Sequence, residues 1–230
     1  MKIKSIKAKE ILDSREKPTV EVELETDKGV FLASVPSGAS TGKNEVLELR
    51  DKDGRGVSKA INNVNKIIAP KLKGKIVGSQ EEIDKIMIEL DGTENKSNLG
   101  ANAILAVSIV VCRAGAKAKR VPLYKYIAKL VEAGPPRALP VPCFNIIEGG
   151  AHAANNLDIQ EFLAVPQGKS FSGNLRAGIK IYKKLKEILE SKTKTGDEGG
   201  FAPKLSKTSK ALDLIIKAAE ESKTKIKIGL

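Results

Sequence analysis

Four short stretches of this chain carry the side chains able to do acid–base or ligand chemistry. His152 is the single histidine, set in Gly149-Gly150-Ala151-His152-Ala153-Ala154-Asn155-Asn156. A lone histidine is more often structural or simply exposed, but flanking glycines and amides suit a loop that closes over a polar ligand. Gln160 and Glu161 head the apolar run Gln160-Glu161-Phe162-Leu163-Ala164-Val165-Pro166, where a carboxylate needs a partner. Glu198 lies in Thr195-Gly196-Asp197-Glu198-Gly199-Gly200, which also reads as a plain acidic glycine turn. Two carboxylates meeting at one face would suit proton transfer, because mutual repulsion and desolvation can hold one proton near neutral pH. The fourth stretch is Pro36-Ser37-Gly38-Ala39-Ser40-Thr41-Gly42. It is either a Ser/Gly connector or a lid whose hydroxyl and carbonyl oxygens suit a hard cation such as Mg²⁺.

The elements that must hold these residues fall into two regions. In the first 35 residues short runs alternate apolar and polar: Ile3 to Ala8, Val20 to Leu24, and Val30 to Ala33, with Asp27-Lys28-Gly29 as a hairpin turn. This predicts a small antiparallel sheet with one polar face. Apolar spacings of three and four then predict helices over 57–72, 80–90, 101–119 and 123–131, the third being the most apolar and hence the buried one. Gly134-Pro135-Pro136 reads as a linker, dividing the chain into domains 1–134 and 137–230. Beyond it come predicted strands over 139–147 and 162–165, helices over 178–190 and 209–221, and a strand from Ile226. If the first of these strands runs up and its hairpin partner down, the helix to Glu190 returns the chain to the top at Thr195. His152, Gln160, Glu161 and Glu198 are then expected near one face, the one where barrel enzymes gather their catalytic groups.

Composition bounds the possibilities. The 230 residues are 41% apolar and 30% charged, as in globular proteins, and 40 basic against 28 acidic side chains give a net charge of +12. That charge suits anionic partners, yet five Phe, three Tyr and no Trp offer few base-stacking platforms. A solvated lysine-rich surface is the plainer reading, and nucleic acid is not an expected partner. The apolar stretch 101–112 is expected to be too short for a bilayer of about 30 Å, and the N-terminus has no continuous apolar signal core. Cys112 and Cys143 are expected to be buried thiols in a reducing compartment. The expectation is a cytoplasmic protein.

Together these residues resemble the enolase family, the phosphopyruvate hydratases of glycolysis and gluconeogenesis. The stretches that carry the resemblance are ILDSREKPTVEVEL, VPSGASTG, ELRDKDGRGVSKAINNVN, IDKIMIELDGTENKSNLGANAILAVS, PLYKYIA, LPVPCFNIIEGGAHAANNLDIQEFLAVP and GDEGGFAP. They run in family order along nearly the whole chain. The resemblance implies an α+β N-terminal domain (a small antiparallel sheet plus helices). The first part of an enolase-type β/α barrel with a ββαα start follows it, the barrel being incomplete. It also implies Mg²⁺-dependent dehydration of 2-phosphoglycerate to phosphoenolpyruvate, two Mg²⁺ ions per complete site, and a homodimer. By resemblance Glu198 matches the general acid, Glu161 the carboxylate that supports it, Gln160 and His152 substrate-pocket positions, and Ser40 the lid serine that ligates the second Mg²⁺.

This chain departs from the family pattern at Glu16 and Lys17, where a Gly-Asn pair is usual, and at Glu148, where Asn is usual. Losing the glycine strains the turn if φ is positive, and Glu148 adds negative charge beside the site. The resemblance further implies that the lysine base and the three acidic ligands of the principal Mg²⁺ belong to a later part of the family's sequence. The 230 residues are therefore expected to be the N-terminal half of an enolase, inactive without the missing half. The half is expected to be either a truncated product or one chain of a split enzyme with a separate C-terminal chain as partner. A non-catalytic basic interaction module and an inactive fragment are the alternatives.

Overall fold

The computed structural model describes residues 1–38, 40–52, 54–134, 138–189 and 193–230. The strands β1 (Ile3–Leu12), β2 (Pro18–Thr26) and β3 (Gly29–Ser34) form an antiparallel sheet in that order. Val20, Val22 and Leu24 alternate with Glu21, Glu23 and Glu25, and the three apolar side chains are completely buried, as a period of two demands. The β2–β3 turn falls at Asp27-Lys28, with Thr26 paired to Gly29. β1 runs on to Leu12, beyond its predicted end, and the turn into β2 is organised by Asp13. Its carboxylate accepts the N–H groups of Arg15 (2.8 Å) and Lys17 (2.9 Å). Glu16 sits in that turn at φ +57°, so the family's usual glycine is missing at a left-handed position, where a β-carbon crowds the backbone.

The predicted helix over 57–72 is one continuous run with an irregular middle: α1 (Ser58–Asn63), a π turn (Val64–Ile68) and α2 (Ala69–Leu72). The π turn carries Asn65 to the outer edge of β1. There its side-chain carboxamide accepts from Ala8 N–H (2.7 Å) and donates to Ala8 C=O (3.1 Å), pairing both backbone groups of that residue at the sheet's edge. α3 (Gln80–Asp91), α4 (Ala101–Ala118) and α5 (Leu123–Leu130) follow close to their predicted bounds. α4 is 18 residues long with mean hydropathy 1.4, so by length and composition it could cross a membrane. This corrects the expectation drawn from the shorter stretch 101–112. Half of it is buried within the unit: Ala103, Ala106, Val107, Val110 and Ala114 pack into the core with β2, as in the core helix of a folded domain.

The second half is a separate three-stranded sheet, β4 (Phe144–Glu148), β5 (Glu161–Pro166) and β6 (Ile226–Gly229), in which β5 is antiparallel to both neighbours. α6 (Phe171–Ile188) and α7 (Ser209–Glu221) lie against it and against each other. Their core is Ile146, Ile147, Phe162, Ala164, Ile181, Leu185, Ile215 and Ala218. The up–down–up order of strands agrees with the trace predicted from sequence. β4 starts later than expected, because Pro140 and Pro142 cannot donate to a ladder and Leu139 and Val141 are exposed. α6 starts earlier than expected, capped by Ser170, whose hydroxyl accepts the Gly173 N–H. The predicted end of that helix at Glu190, the linker prolines Pro135 and Pro136, and Ala39 of the Ser/Gly stretch lie outside the described residues.

The chain divides into two compact units, Met1–Arg137 and Ala138–Leu230. The described residues of the second show an open sheet and no closed barrel. The cysteines depart from expectation: Cys143 is exposed and Cys112 only half-buried. Cys143 stands just ahead of β4, in the proline-interrupted stretch that does not join the sheet.

Candidate active site

Within the second unit, the end of β4 and the start of β5 set the positions of four polar side chains. After Glu148 the chain folds back on itself. Gly149 N–H donates to Gln160 C=O (3.0 Å), Gly150 N–H to Leu157 C=O (2.7 Å) and His152 N–H to Gly149 C=O (3.1 Å). The single 3₁₀ turn over Gly150–His152 thereby brings the imidazole back against the head of β5. His152 is 4% exposed. Its Nε2 lies 3.0 Å from Gln160 Nε2, and with that amide as donor the ring proton of a neutral His152 sits on Nδ1.

Nδ1 faces two carboxylates, 3.9 Å from Glu161 Oε1 and 3.7 Å from Glu198 Oε1, and has no hydrogen-bond partner among the described residues. One ligand atom from each of His152, Glu161 and Glu198 lies within 4.8 Å of the others. The expectation that these residues and Gln160 share one face is met.

Glu198 reaches this point because the 195–201 segment is laid along β4. Glu148 N–H donates to Phe201 C=O and Phe201 N–H to Ile146 C=O, each at 2.9 Å. Gly196 N–H bonds Gly200 C=O (2.8 Å) and Asp197 N–H bonds His152 C=O (3.0 Å). Tyr182 of α6 stacks on Phe201 with ring centroids 4.5 Å apart, and its hydroxyl donates to Gly199 C=O (2.7 Å). Burial, helped by the negative Glu148, pushes the Tyr182 phenol up, so it stays a donor at neutral pH. Asn145 Nδ2 donates to Glu198 Oε2 (3.2 Å), fixing one oxygen and leaving the other toward the histidine. Both glutamates keep an exposed side, so a ligand has access to a carboxyl whose rear is held by protein.

Ser40 belongs to the first unit. It is exposed, in a segment between β3 and α1 without helix or strand among its described residues. The near end of that segment is tied down at Ser37. Arg15 Nη2 donates to Ser37 C=O (2.5 Å), Arg50 Nη2 to Ser37 Oγ (2.8 Å), and Ser37 Oγ to the Glu48 carboxylate (2.7 Å). Ser40 lines a cleft of about 590 Å³ together with Ser37, Glu45, Glu48 and Asn102.

Residues 3–127 match the family description "Enolase, N-terminal domain", and residues 136–230 match "Enolase, C-terminal TIM barrel domain". This chain belongs to the enolase family. Among curated relatives it is 54% identical to "Enolase B" of Dictyostelium discoideum over 243 residues, covering 100% of this chain and 55% of that protein. It is 52% identical to "Enolase" of Eimeria tenella (97% of this chain, 55% of that protein) and 52% identical to "Enolase" of Mastigamoeba balamuthi (99% and 55%). The chain thus spans about half the length of the curated relatives it matches.

The sequence reading missed three supports, one in the first unit and two in the second. Asn145 is hidden inside an apolar strand, with only its polarity as a signal. The Arg15–Ser37–Arg50–Glu48 cluster joins residues too far apart in sequence for spacing to reveal. Glu148 stood out as a departure from the family pattern, but its burial at 0% exposure was not foreseen. For Mg²⁺, a hard cation that takes oxygen ligands, the described residues fit in part. Ser40 offers a hydroxyl in an exposed oxygen-rich loop, whereas the His152, Glu161 and Glu198 set mixes nitrogen with oxygen and suits proton exchange or a borderline metal better.

Proposed function

We propose that residues 1–230 carry the acid side of an enolase site, one that dehydrates 2-phosphoglycerate to phosphoenolpyruvate and water. The observation that supports this reading most directly is the convergence of His152, Glu161 and Glu198 on one half-buried face in a chain of this family.

In the proposed reaction the C2 proton leaves and the C3 hydroxyl departs as water. Glu198 gives its proton to that hydroxyl from Oε1, which faces His152 while Asn145 holds Oε2. Glu161, whose carboxylate faces the same imidazole as Glu198, supports that step from beside it. His152 and Gln160 orient the substrate, the Gln160 amide fixing the imidazole so that Nδ1 is presented. Ser40 would offer its hydroxyl to the second Mg²⁺. Bound Mg²⁺ stabilises the negative charge that develops when a proton is removed beside a carboxylate, a use of metal for which the enolase superfamily is the standing general example. The base and the principal Mg²⁺ ligands are proposed to come from a C-terminal enolase segment outside these 230 residues.

The test is to assay 2-phosphoglycerate dehydration with Mg²⁺, first with residues 1–230 alone and then after mixing with a polypeptide covering the C-terminal part of an enolase. The expected result is no turnover alone and turnover on mixing. Glu198→Gln in the mixture should lower kcat by about 10²- to 10⁴-fold, the usual contribution of a placed proton donor. Ordinary enolase rates from residues 1–230 alone would refute the reading, as would no gain on mixing once association is demonstrated.

A further inference from the structure

The turn that bears Glu198 is built to grip an anion, and the anion it grips is a side chain of the protein. Gly199 takes φ +90°, and successive N–H groups around a left-handed residue converge into a concavity that binds negative charge. Into it projects the carboxylate of Glu148. Its Oε2 accepts the Glu198 N–H (3.2 Å) and its Oε1 the Gly200 N–H (2.5 Å). Glu148 is 0% exposed, and the space around it is filled. A β-carbon at Gly196 would fall inside the van der Waals surface of Glu148 Oε2, and one at Gly200 would meet Oε1 at 2.8 Å. The backbone of Glu148 is engaged as well, its N–H by Phe201 C=O (2.9 Å) and its C=O by Asn155 Nδ2 (2.8 Å). One residue therefore joins the end of β4, the histidine loop and the Glu198 turn.

We propose that Glu148 is a positioning residue. Its buried carboxylate latches the backbone of Glu198 and Gly200, so that the Glu198 side chain is presented to Asn145 and His152 in one fixed direction. A charged acceptor is the form suited to this task. Two N–H donors approach two separate oxygens, and charge-assisted bonds are about twice as strong as neutral ones. A water entering in its place would be a neutral, unanchored acceptor, so a turn without the latch has no equivalent partner for either N–H. The inference rests on the reading of Glu198 as the proton donor, and two readouts keep the two claims apart.

The first readout is amide hydrogen exchange by NMR on residues 1–230, comparing the unaltered chain with Glu148→Ala and Glu148→Gln. In Glu148→Ala the Glu198 and Gly200 amides should exchange about ten- to a hundred-fold faster, the worth of a hydrogen bond to a charged group. The Gly168 amide, which Asn174 Oδ1 accepts at 2.7 Å, should be unchanged and so reports that the unit is folded. If Glu148→Ala does not fold, Glu148→Gln, with the same size and one remaining acceptor, should free one of the two amides. Unchanged exchange at both amides in every variant that folds overturns the latch.

The second readout is kinetic, in the mixed enzyme. Glu148→Gln should lower kcat about ten-fold with KM within two-fold. Glu198→Gln should cost less in the Glu148→Gln background than alone, because the two residues act as a unit. Freed amides with an unchanged kcat, or a loss confined to KM, overturn the positioning role. Freed amides together with a fully active Glu198→Gln leave the latch standing and instead refute the assignment of Glu198 as the acid.

Discussion

Replacing Asp91 by Asn tests whether one buried carboxylate organises the passage from α3 to α4. Asp91 is 1% exposed. Its Oδ2 accepts the N–H of Leu99 (2.7 Å), its Oδ1 accepts the N–H of Thr93 (3.0 Å) and the Thr93 hydroxyl, and its own C=O accepts from Asn98 Nδ2 (2.7 Å). Burial, the largest single influence, raises its carboxyl, but the hydrogen bonds from Leu99, Thr93 and Asn98 together outweigh it and hold the group below the ordinary carboxylate range. An amide keeps one oxygen and turns an N–H₂ toward donors, so one backbone bond is lost and its N–H left buried. At about 1.5–3 kcal/mol for a bond to a charged group, the substitution should destabilise the chain by about 2–3 kcal/mol near pH 7.

The sign with pH follows from the depressed folded value. The carboxylate's contribution is complete above its unfolded value near 3.8 and is lost as pH falls through the lower folded value. Urea unfolding of both forms should give a constant difference between pH 7 and pH 5 that shrinks below about pH 4. An unchanged midpoint at pH 7 would refute the reasoning, and so would a gap that persists undiminished into strong acid.

Two further outcomes are expected from the first unit and the segment beyond it. Glu16→Gly should stabilise by about 0.5–1 kcal/mol, because relief of a left-handed β-carbon (about 1–2 kcal/mol) is partly offset by the greater freedom of glycine when unfolded; thermal unfolding reads this, and a lowered midpoint sinks it. Thiol labelling at pH 8 should modify exposed Cys143 quickly and Cys112 slowly, since burial first and the nearby Asp84 charge second push the Cys112 thiol up. Removal of the fast phase by Cys143→Ser, with the slow phase kept, is the check.

Much of this architecture was legible in the chain. Val20, Val22 and Leu24 announced a sheet by a period of two, and the heptad-like spacing of α4 announced a buried helix. Strand polarity alone was enough to bring Glu198 round to His152. What escaped was set by contacts distant in sequence or by backbone detail. No local spacing marks Asn65 as a partner of Ala8, or Asn145 as a brace for Glu198. Apolar spacing predicts α6 only from Gly178, whereas the Ser170 cap on the Gly173 N–H lets the helix begin at Phe171. Apolar neighbours predict a buried Cys143, whereas the residue is exposed. Pro140 and Pro142 keep that stretch out of the ladder, and Val141 is left exposed.

The Asn65 carboxamide has a wider implication. A side-chain amide is a peptide group on a stalk, and at Ala8 it plays the part of a neighbouring strand one residue long. Docked there, it occupies one donor and one acceptor in the middle of the edge that an intruding chain would pair with. Strand exchange between copies through this margin of β1 would first have to displace a residue anchored in a helix. The irregular turn in that helix therefore works as an insulator, and its slight disorder of pitch protects the order of the sheet beside it.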